Sequence, residues 1–197
     1  MADTSSRAGQ FFYVIEDELD ILFVDDDPIL REFASVHLSS EKVTVKTAGD
    51  GLMALGCLKT GHPDIILLDL EMPNMDGFQF LDELKRDHPG HDFPVIVVTG
   101  REDVVAIDRA YQAGAISFVV KPLNWRQLSY QIRYVHRSHR NEMALRQARV
   151  RAEAQLRQVA SQSHEFLATA LQRHPDLTLA AAGYAKELAS IMGAKQK

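Results

Sequence analysis

Acidic, hydroxyl and lysine side chains directly follow several short apolar runs in this sequence. They are Asp25, Asp26 and Asp27 after the first run, Asp69 after a later one, Thr99 next to Gly100, and Lys121. Aspartates that lie close together repel one another unless a cation lies between them, and a small number of hard oxygen ligands suits Mg²⁺. A lysine and a hydroxyl can stabilise the oxygens of a phosphoryl group during its transfer. These residue types therefore predict a site for Mg²⁺ and phosphoryl chemistry, provided that the fold brings them together.

The role of each residue in such a site follows from its chemistry. An aspartate can attack a phosphoryl group and form an acyl phosphate, so Asp69 is predicted to be the nucleophile. Lys121 would supply a fixed positive charge and Thr99 a hydroxyl donor. Asp25 and Asp26 are predicted, with Asp69, to form the metal site.

The apolar runs have the length and the β-branched composition of buried strands. They cover residues 19–24, 64–68, 94–98 and 116–120, and a weaker run at 43–47 alternates as a half-buried edge strand would. The stretches between them have helical spacing, over residues 28–38, 51–60, 77–85 and 104–113. Alternating strands and helices predict an α/β fold: a (βα)5, doubly wound, parallel five-stranded sheet. In such a sheet the residues that follow the strands meet at one edge, where ligands bind.

Four segments, in this order, closely resemble the response regulator receiver domain of two-component signalling. They are ILFVDDDP (21–28), DIILLDLEMPNMDGF (64–78), PVIVVTG (94–100) and FVVKP (118–122). The resemblance covers about Leu19 to His136 and implies a flavodoxin-like receiver. It also implies that Asp69 takes its phosphoryl group from a histidine of a partner sensor kinase or phosphotransfer protein.

Further roles are implied by the resemblance alone. Asp26, Asp69 and the backbone carbonyl oxygen of Glu71 would bind Mg²⁺ directly. Thr99 and Phe118 would form a switch pair, in which the hydroxyl moves toward the phosphoryl group and the aromatic ring turns inward.

The resemblance also implies two local features beside the predicted site. The peptide bond between Lys121 and Pro122 is expected to be cis, an isomer that is tolerable before proline. Glu71 and Arg101 would flank the path of the attacking water, so an ion pair between them could screen the acyl phosphate. The alternative is that both are solvated charges without a shared role.

The chain is predicted to have three parts: a tail at 1–17, the receiver at 18–138 and a helical extension at 139–197. The tail could be ordered at Phe11 to Val14 by packing on the domain, or it could be disordered. The segment from Asn124 to Arg173 lacks proline and glycine and predicts one long helix. A shorter helix is predicted over about 177–192, after His174-Pro175-Asp176.

Residues spaced three and four apart form a seam along the long helix, with a poor stretch through Arg140 to Arg151. They are Leu128, Ile132, Val135 and His139, and after that break Ala152, Leu156, Val159, Ser163, Phe166 and Ala170. This spacing favours a coiled coil, and a parallel homodimer through the C-terminal helix is the predicted assembly. The stretch from Arg126 to Arg157 contains eight arginines. Solvated flanks of a coiled coil account for them, and nucleic-acid binding is not expected because a DNA-reading module with its own core is lacking.

The composition predicts a cytoplasmic protein without a membrane span. The net charge is −5, there is a single cysteine, and no apolar run approaches the roughly 20 residues that a membrane span needs. Met1 to Gln10 lacks the apolar core of a signal peptide. Cys57 is predicted to fill a small space in the core.

The predicted function is a signalling switch and not an enzyme, with self-phosphorylation and slow self-hydrolysis as its only catalysis. One alternative is the front part of a longer regulator whose output domain, such as a cyclic-dinucleotide enzyme, is missing. Another is an aspartyl phosphatase of the haloacid dehalogenase type, although that family has its nucleophile on the first strand. A phosphorylation-independent scaffold is disfavoured by the intact acidic pair.

Overall fold

The computed structural model describes residues 15, 17–87, 93–100 and 104–173, and near the C-terminus residues 183, 184, 186, 187 and 190. Within these ranges strands and helices alternate along the chain. They are β1 (Leu19–Val24), α1 (Pro28–Leu38), β2 (Val43–Ala48), α2 (Gly51–Thr60), β3 (Ile65–Leu68), α3 (Gly77–Asp87), β4 (Val95–Thr99), α4 (Val104–Gln112), β5 (Ser117–Val120) and α5 (Trp125–Arg173). The predicted α/β fold, with five strands and a long C-terminal helix, is confirmed.

The five strands form one parallel sheet in the order β2-β1-β3-β4-β5. The chain moves outward from β1 to β2 and then returns to β3 on the other side of β1. The point where the strand order reverses therefore lies between β1 and β3, and ligands of open α/β sheets bind beyond the strand ends at such a point.

Alternate residues of each strand point to opposite faces of the sheet, and each face packs against its own helices. One face carries Phe23 and Leu67 against Leu38 of α1 and Ile132 of α5. The other carries Leu22, Leu68 and further residues against α2 and α3, including Leu58, Phe80 and Leu84. Because both faces are covered, the central strand β3 is apolar throughout, whereas the edge strand β2 alternates apolar Val43 and Val45 with exposed Thr44 and Lys46.

Two helices begin at aspartates that cap their free backbone N–H groups. Asp27 accepts a hydrogen bond from Ile29 N at 2.8 Å, with Pro28 in the first turn of α1. Asp50 accepts one from Met53 N at 2.8 Å at the start of α2. These caps fix where each helix begins relative to the preceding strand end, which is where the predicted site residues lie.

The ends of the chain are described in part. The predicted tail at 1–17 falls mostly outside the described residues, but Ile15 is buried in the core with Leu19 and Leu38. The predicted helix at 177–192 also falls mostly outside them, and the residues described there, such as Tyr184 and Lys186, are helical. The chain separates into two compact units, Met1–Arg140 and Asn141–Lys197. The predicted three-part division stays a prediction.

Within the described residues, no helix has both the length and the apolar character that a membrane crossing requires. The long helix α5 is excluded by its charge, since it contains nine arginines and three glutamates.

Candidate functional site

The predicted site residues lie at the carboxyl edge of the sheet, one at the end of each of four neighbouring strands. Asp25 follows β1, Asp69 follows β3, Thr99 ends β4 and Lys121 follows β5. Their backbones continue the ladder of hydrogen bonds beyond the strands: Asp69 N donates to Val24 O at 2.8 Å, and Lys121 N donates to Thr99 O at 2.9 Å. The sheet itself therefore fixes the positions from which these side chains extend.

Lys121 bridges two carboxylates of this edge. Its Nζ lies 2.5 Å from Asp69 Oδ2 and 2.8 Å from Asp25 Oδ2. The side chain of Asp25 is fully buried, that of Asp69 is 6% exposed and that of Lys121 is 21% exposed. Ion pairs with this little water around them hold their geometry more firmly than surface pairs do.

Burial and neighbouring charge shift the pKa values of Lys121 and Asp25. Burial would lower the pKa of Lys121, but its close contacts with the carboxylates of Asp25 and Asp69 outweigh that cost and hold the pKa above its usual 10.5. The lysine is therefore a permanent cation at neutral pH. Burial raises the pKa of Asp25, and the ion pair with Lys121 and the hydrogen bond from the backbone N–H of Asp27 oppose that shift in part.

Three carboxylates converge here, and their charge exceeds that of the lysine. One oxygen from each of Asp25, Asp26 and Asp69 lies within 4.8 Å of the others. Among the described residues, no donor is aligned for a hydrogen bond to Asp25 Oδ2, although Lys121 Nζ is close to it. Hard oxygen ligands with an uncompensated negative charge fit a divalent cation such as Mg²⁺. The donor set thus suits the predicted metal.

The remaining carboxylate oxygens are oriented by backbone N–H groups. Asp27 N donates to Asp25 Oδ1 at 3.0 Å, and Glu71 N donates to Asp69 Oδ1 at 3.2 Å. Each of these bonds spans two residues, so the loop after each strand turns back on its own aspartate. The two carboxylates consequently cannot rotate freely, which keeps them aimed at the same space.

Thr99 and Phe118 lie on the two strands nearest α4. Thr99 is 1% exposed at the end of β4. Phe118 on β5 is half-buried, pairs in register with Val97, and meets the ring of Tyr111 edge-on at a centroid distance of 6.2 Å. On its other side the carbonyl of Phe118 accepts a hydrogen bond from Gln131 of α5 at 3.4 Å. Phe118 thus contacts residues of both α4 and α5.

Of the two local features predicted beside the site, the cis peptide bond lies within the described residues, and the ion pair of Glu71 with Arg101 does not. The Lys121-Pro122 peptide bond is cis. Glu71 is exposed and lines an open cavity of about 390 Å³ together with Asp26 and Arg109, whose guanidinium lies 3.9 Å above the ring of Phe78. Arg101 lies outside the described residues, so its pairing with Glu71 stays a prediction.

Some residues that shape the site were not predicted from the sequence. Asn74 has a φ of 64° and donates to Asp50 Oδ2 at 2.8 Å, which ties the loop after β3 to the start of α2. Hydrogen bonds from Met53 N and from Asn74 lower the pKa of Asp50. An asparagine two residues before an aspartate and a glycine signals a left-handed turn, but the long-range bond to Asp50 has no sequence signal.

Comparison with known proteins places these features in context. The family model of the response regulator receiver domain matches residues 21–133. The heme response regulator HssR of Staphylococcus aureus is 36% identical over 118 residues, which is 60% of this chain and 51% of that protein. The chain thus spans about half the length of the curated relatives it matches.

Solved structures show the same similarity. A CheY-like receiver domain protein from Methanospirillum hungatei aligns with a TM-score of 0.58 and 26% identity, over 63% of this chain and 98% of that one. NtrX from Brucella abortus, solved in complex with ATP, aligns with a TM-score of 0.60 and 28% identity, over 65% of this chain and 29% of that one.

Proposed function

Because the chain belongs to the response regulator receiver domain family of two-component signalling, we propose that Asp69 accepts a phosphoryl group from a histidine of a partner kinase. The observation that supports this most is the Lys121 bridge. A single lysine contacts Asp69 and Asp25 while three carboxylates lie within 4.8 Å of one another. That arrangement provides a nucleophile, a fixed cation and a set of metal ligands at one point.

In the proposed reaction a carboxylate oxygen of Asp69 attacks the phosphorus atom. The bond between phosphorus and the imidazole nitrogen breaks, and its electron pair leaves with the imidazole. Lys121, released in part from Asp69, donates to a phosphoryl oxygen, and the hydroxyl of Thr99 donates to another. Mg²⁺, when bound by Asp26, Asp69 and the carbonyl oxygen of Glu71, would neutralise charge on the phosphoryl oxygens.

The same residues account for a switch with no other turnover. The acyl phosphate adds negative charge beside Thr99 and Lys121, which draws both groups toward it. We propose that the space left by Thr99 admits the ring of Phe118, which now lies half-buried against Tyr111. Hydrolysis of the acyl phosphate then resets the domain. A haloacid dehalogenase type of phosphatase is disfavoured because the candidate nucleophile follows the third strand, β3.

Replacing Asp26 with alanine is expected to weaken Mg²⁺ binding and phosphorylation together. The substitution removes one ligand from the three-carboxylate cluster, and the loss of a metal ligand outweighs the relief of repulsion. Mg²⁺ affinity would be measured by titration of amide signals in NMR spectra, and phosphorylation by transfer from radiolabelled acetyl phosphate. Asp82→Asn, at an exposed position of α3, is the control. Unchanged Mg²⁺ affinity in Asp26→Ala would move the ligand role to Asp25.

The output is proposed to pass through α5 to a second copy of the chain. Large apolar side chains on the second half of α5 are exposed to solvent: Leu145 is 73% exposed, Leu156 63%, Val159 59% and Phe166 74%. Their separations of 11, 3 and 7 residues are sums of steps of three and four, which place them along one stripe. A parallel coiled coil would cover that stripe. Gln131 of α5 also donates to Ser117 Oγ of β5 at 2.5 Å, beside Phe118, so a rotation of Phe118 can reach α5.

A chain that ends near Arg140 is expected to be monomeric, whereas the full chain forms a dimer. The cut removes the exposed apolar stripe and keeps the compact unit Met1–Arg140. Mass in solution, measured with and without beryllofluoride, tests this. Leu156→Glu should dissociate the full-length dimer because it places a charge on the stripe, while Gln158→Glu, off the stripe, should not. A full-length chain that stays monomeric at high concentration in both states contradicts the coiled coil.

A further inference from the structure

The side chain of Arg31 reaches from α1 to the backbone of the acidic pair. Its Nη1 donates to the carbonyl oxygen of Asp25 at 2.7 Å and to that of Asp26 at 2.8 Å. One guanidinium nitrogen therefore binds two consecutive carbonyl groups. Both distances lie within the range for charge-assisted hydrogen bonds.

The guanidinium is itself held in place. The backbone of Arg31 belongs to the first turns of α1, where its N–H donates to Asp27 O at 3.1 Å. Its side chain packs against Gly49 in the connection between β2 and α2, where a β-carbon would lie 3.5 Å from Nη1. Arg31 thus joins α1, the loop after β1 and the loop after β2.

These contacts constrain the part of the loop that carries the candidate metal ligands. The carbonyl groups bound by Arg31 belong to the residues whose carboxylates converge with Asp69. Two bound carbonyls restrain the backbone dihedral angles of Asp25 and Asp26 and the path of the loop that carries them. That restraint sets the positions of the Cα–Cβ bonds from which the two carboxylates extend toward Asp69.

We propose that Arg31 is a positioning residue for the Mg²⁺ site: it holds the backbone of the acidic pair so that the carboxylates of Asp25 and Asp26 meet that of Asp69. This inference rests on the proposed function, since it concerns the metal ligands of that function. Partners of metal ligands that do not touch the metal themselves tune affinity through orientation.

The hydrogen bonds of Arg31 and its positive charge are expected to change the Mg²⁺ affinity in opposite directions, which makes the proposal testable. A guanidinium near three carboxylates repels a divalent cation, so removing its charge would tighten Mg²⁺ binding if charge were its only effect. Removing the two hydrogen bonds would weaken Mg²⁺ binding if position were the larger effect. The sign of the change in affinity distinguishes the two roles.

The test is the Mg²⁺ dissociation constant of the full chain with Arg31→Met, measured by NMR titration with magnesium chloride. We expect it to rise about tenfold, the lower end of the range for such partners of metal ligands. Arg31→Lys, which keeps the charge and some donor capacity, should lie between the variant and the wild type. Arg126→Met, which removes one positive charge at an exposed position of α5, should leave the constant unchanged.

A second readout separates positioning from general damage. At saturating Mg²⁺ the rate of labelling by acetyl phosphate should recover toward that of the wild type in Arg31→Met. An unchanged or smaller Mg²⁺ dissociation constant in Arg31→Met overturns the proposal. If Arg31→Met does not fold, the test is made on Arg31→Lys. The proposal is then overturned if Arg31→Lys is less stable to urea than the wild type but has the same Mg²⁺ dissociation constant. If the wild type itself neither binds Mg²⁺ nor becomes labelled, the proposed function fails instead.

Discussion

Asp69→Asn is expected to abolish formation of the acyl phosphate. The amide oxygen of asparagine carries no formal charge and is a poor nucleophile, and the side chain no longer balances the charge of Lys121, whose Nζ lies 2.5 Å from Asp69 Oδ2. The measurement is transfer of label from radiolabelled acetyl phosphate in the presence of Mg²⁺, followed by the acid and base lability of the product. Label should fall to background.

The matched control is Asp82→Asn, which makes the same chemical change at an exposed position of α3. It should be labelled like the wild type. Urea unfolding of both variants would show that each is folded under the conditions of labelling. Full labelling of Asp69→Asn would move the acceptor to another carboxylate of the cluster, Asp25 or Asp26, and would refute the assignment.

Gly77→Ala is expected to lower the free energy of unfolding more than any other exchange of one small residue for another near the site. A β-carbon at Gly77 would overlap the carbonyl oxygen of Asp69 and would lie 2.8 Å from Cα of Leu70. Both atoms are backbone, so neither can move aside without moving the residue that carries the nucleophile. We expect a loss of about 3 kcal/mol, at the upper end of the usual cost of overpacking, together with slower phosphorylation.

Urea unfolding gives the stability, and labelling at low urea gives the activity. Gly56→Ala is the matched control: it lies in α2, and a β-carbon added there would have no neighbouring atom within 4 Å beyond its own helix backbone. Because alanine favours a helix over glycine, this variant should gain roughly 0.5 to 1 kcal/mol. Equal stability of Gly77→Ala and the wild type would mean that the loop after β3 relaxes away from α3, contrary to the hydrogen bond from Gly77 N to Leu70 O.

The predicted elements agree with the observed ones closely because their signals are local. Asp27 followed by Pro28 indicates the start of a helix through capping and a fixed φ, and α1 begins there. The apolar run at 64–68 predicts β3, which the structure gives as Ile65–Leu68. The strand begins at Ile65, one residue later than the run, although Asp64 N donates to Asp20 O and the Asp64 carboxylate accepts a hydrogen bond from Asp20 N. Where a strand begins depends on its pairing with the neighbouring strands, which hydrophobic periodicity does not reveal.

The residue types that follow each strand can be read from the sequence, and the alternation of strands and helices then places Asp25, Asp69, Thr99 and Lys121 at one edge of a parallel sheet. The order of the strands, and thus which of these residues touch, depends on the tertiary fold. The two contacts of Lys121, the reach of Arg31 to two carbonyls and the approach of Gly77 to Asp69 all join residues from different elements. Distances of this kind arise when apolar faces pack on both sides of the sheet, because packing sets how far each helix start lies from each strand end.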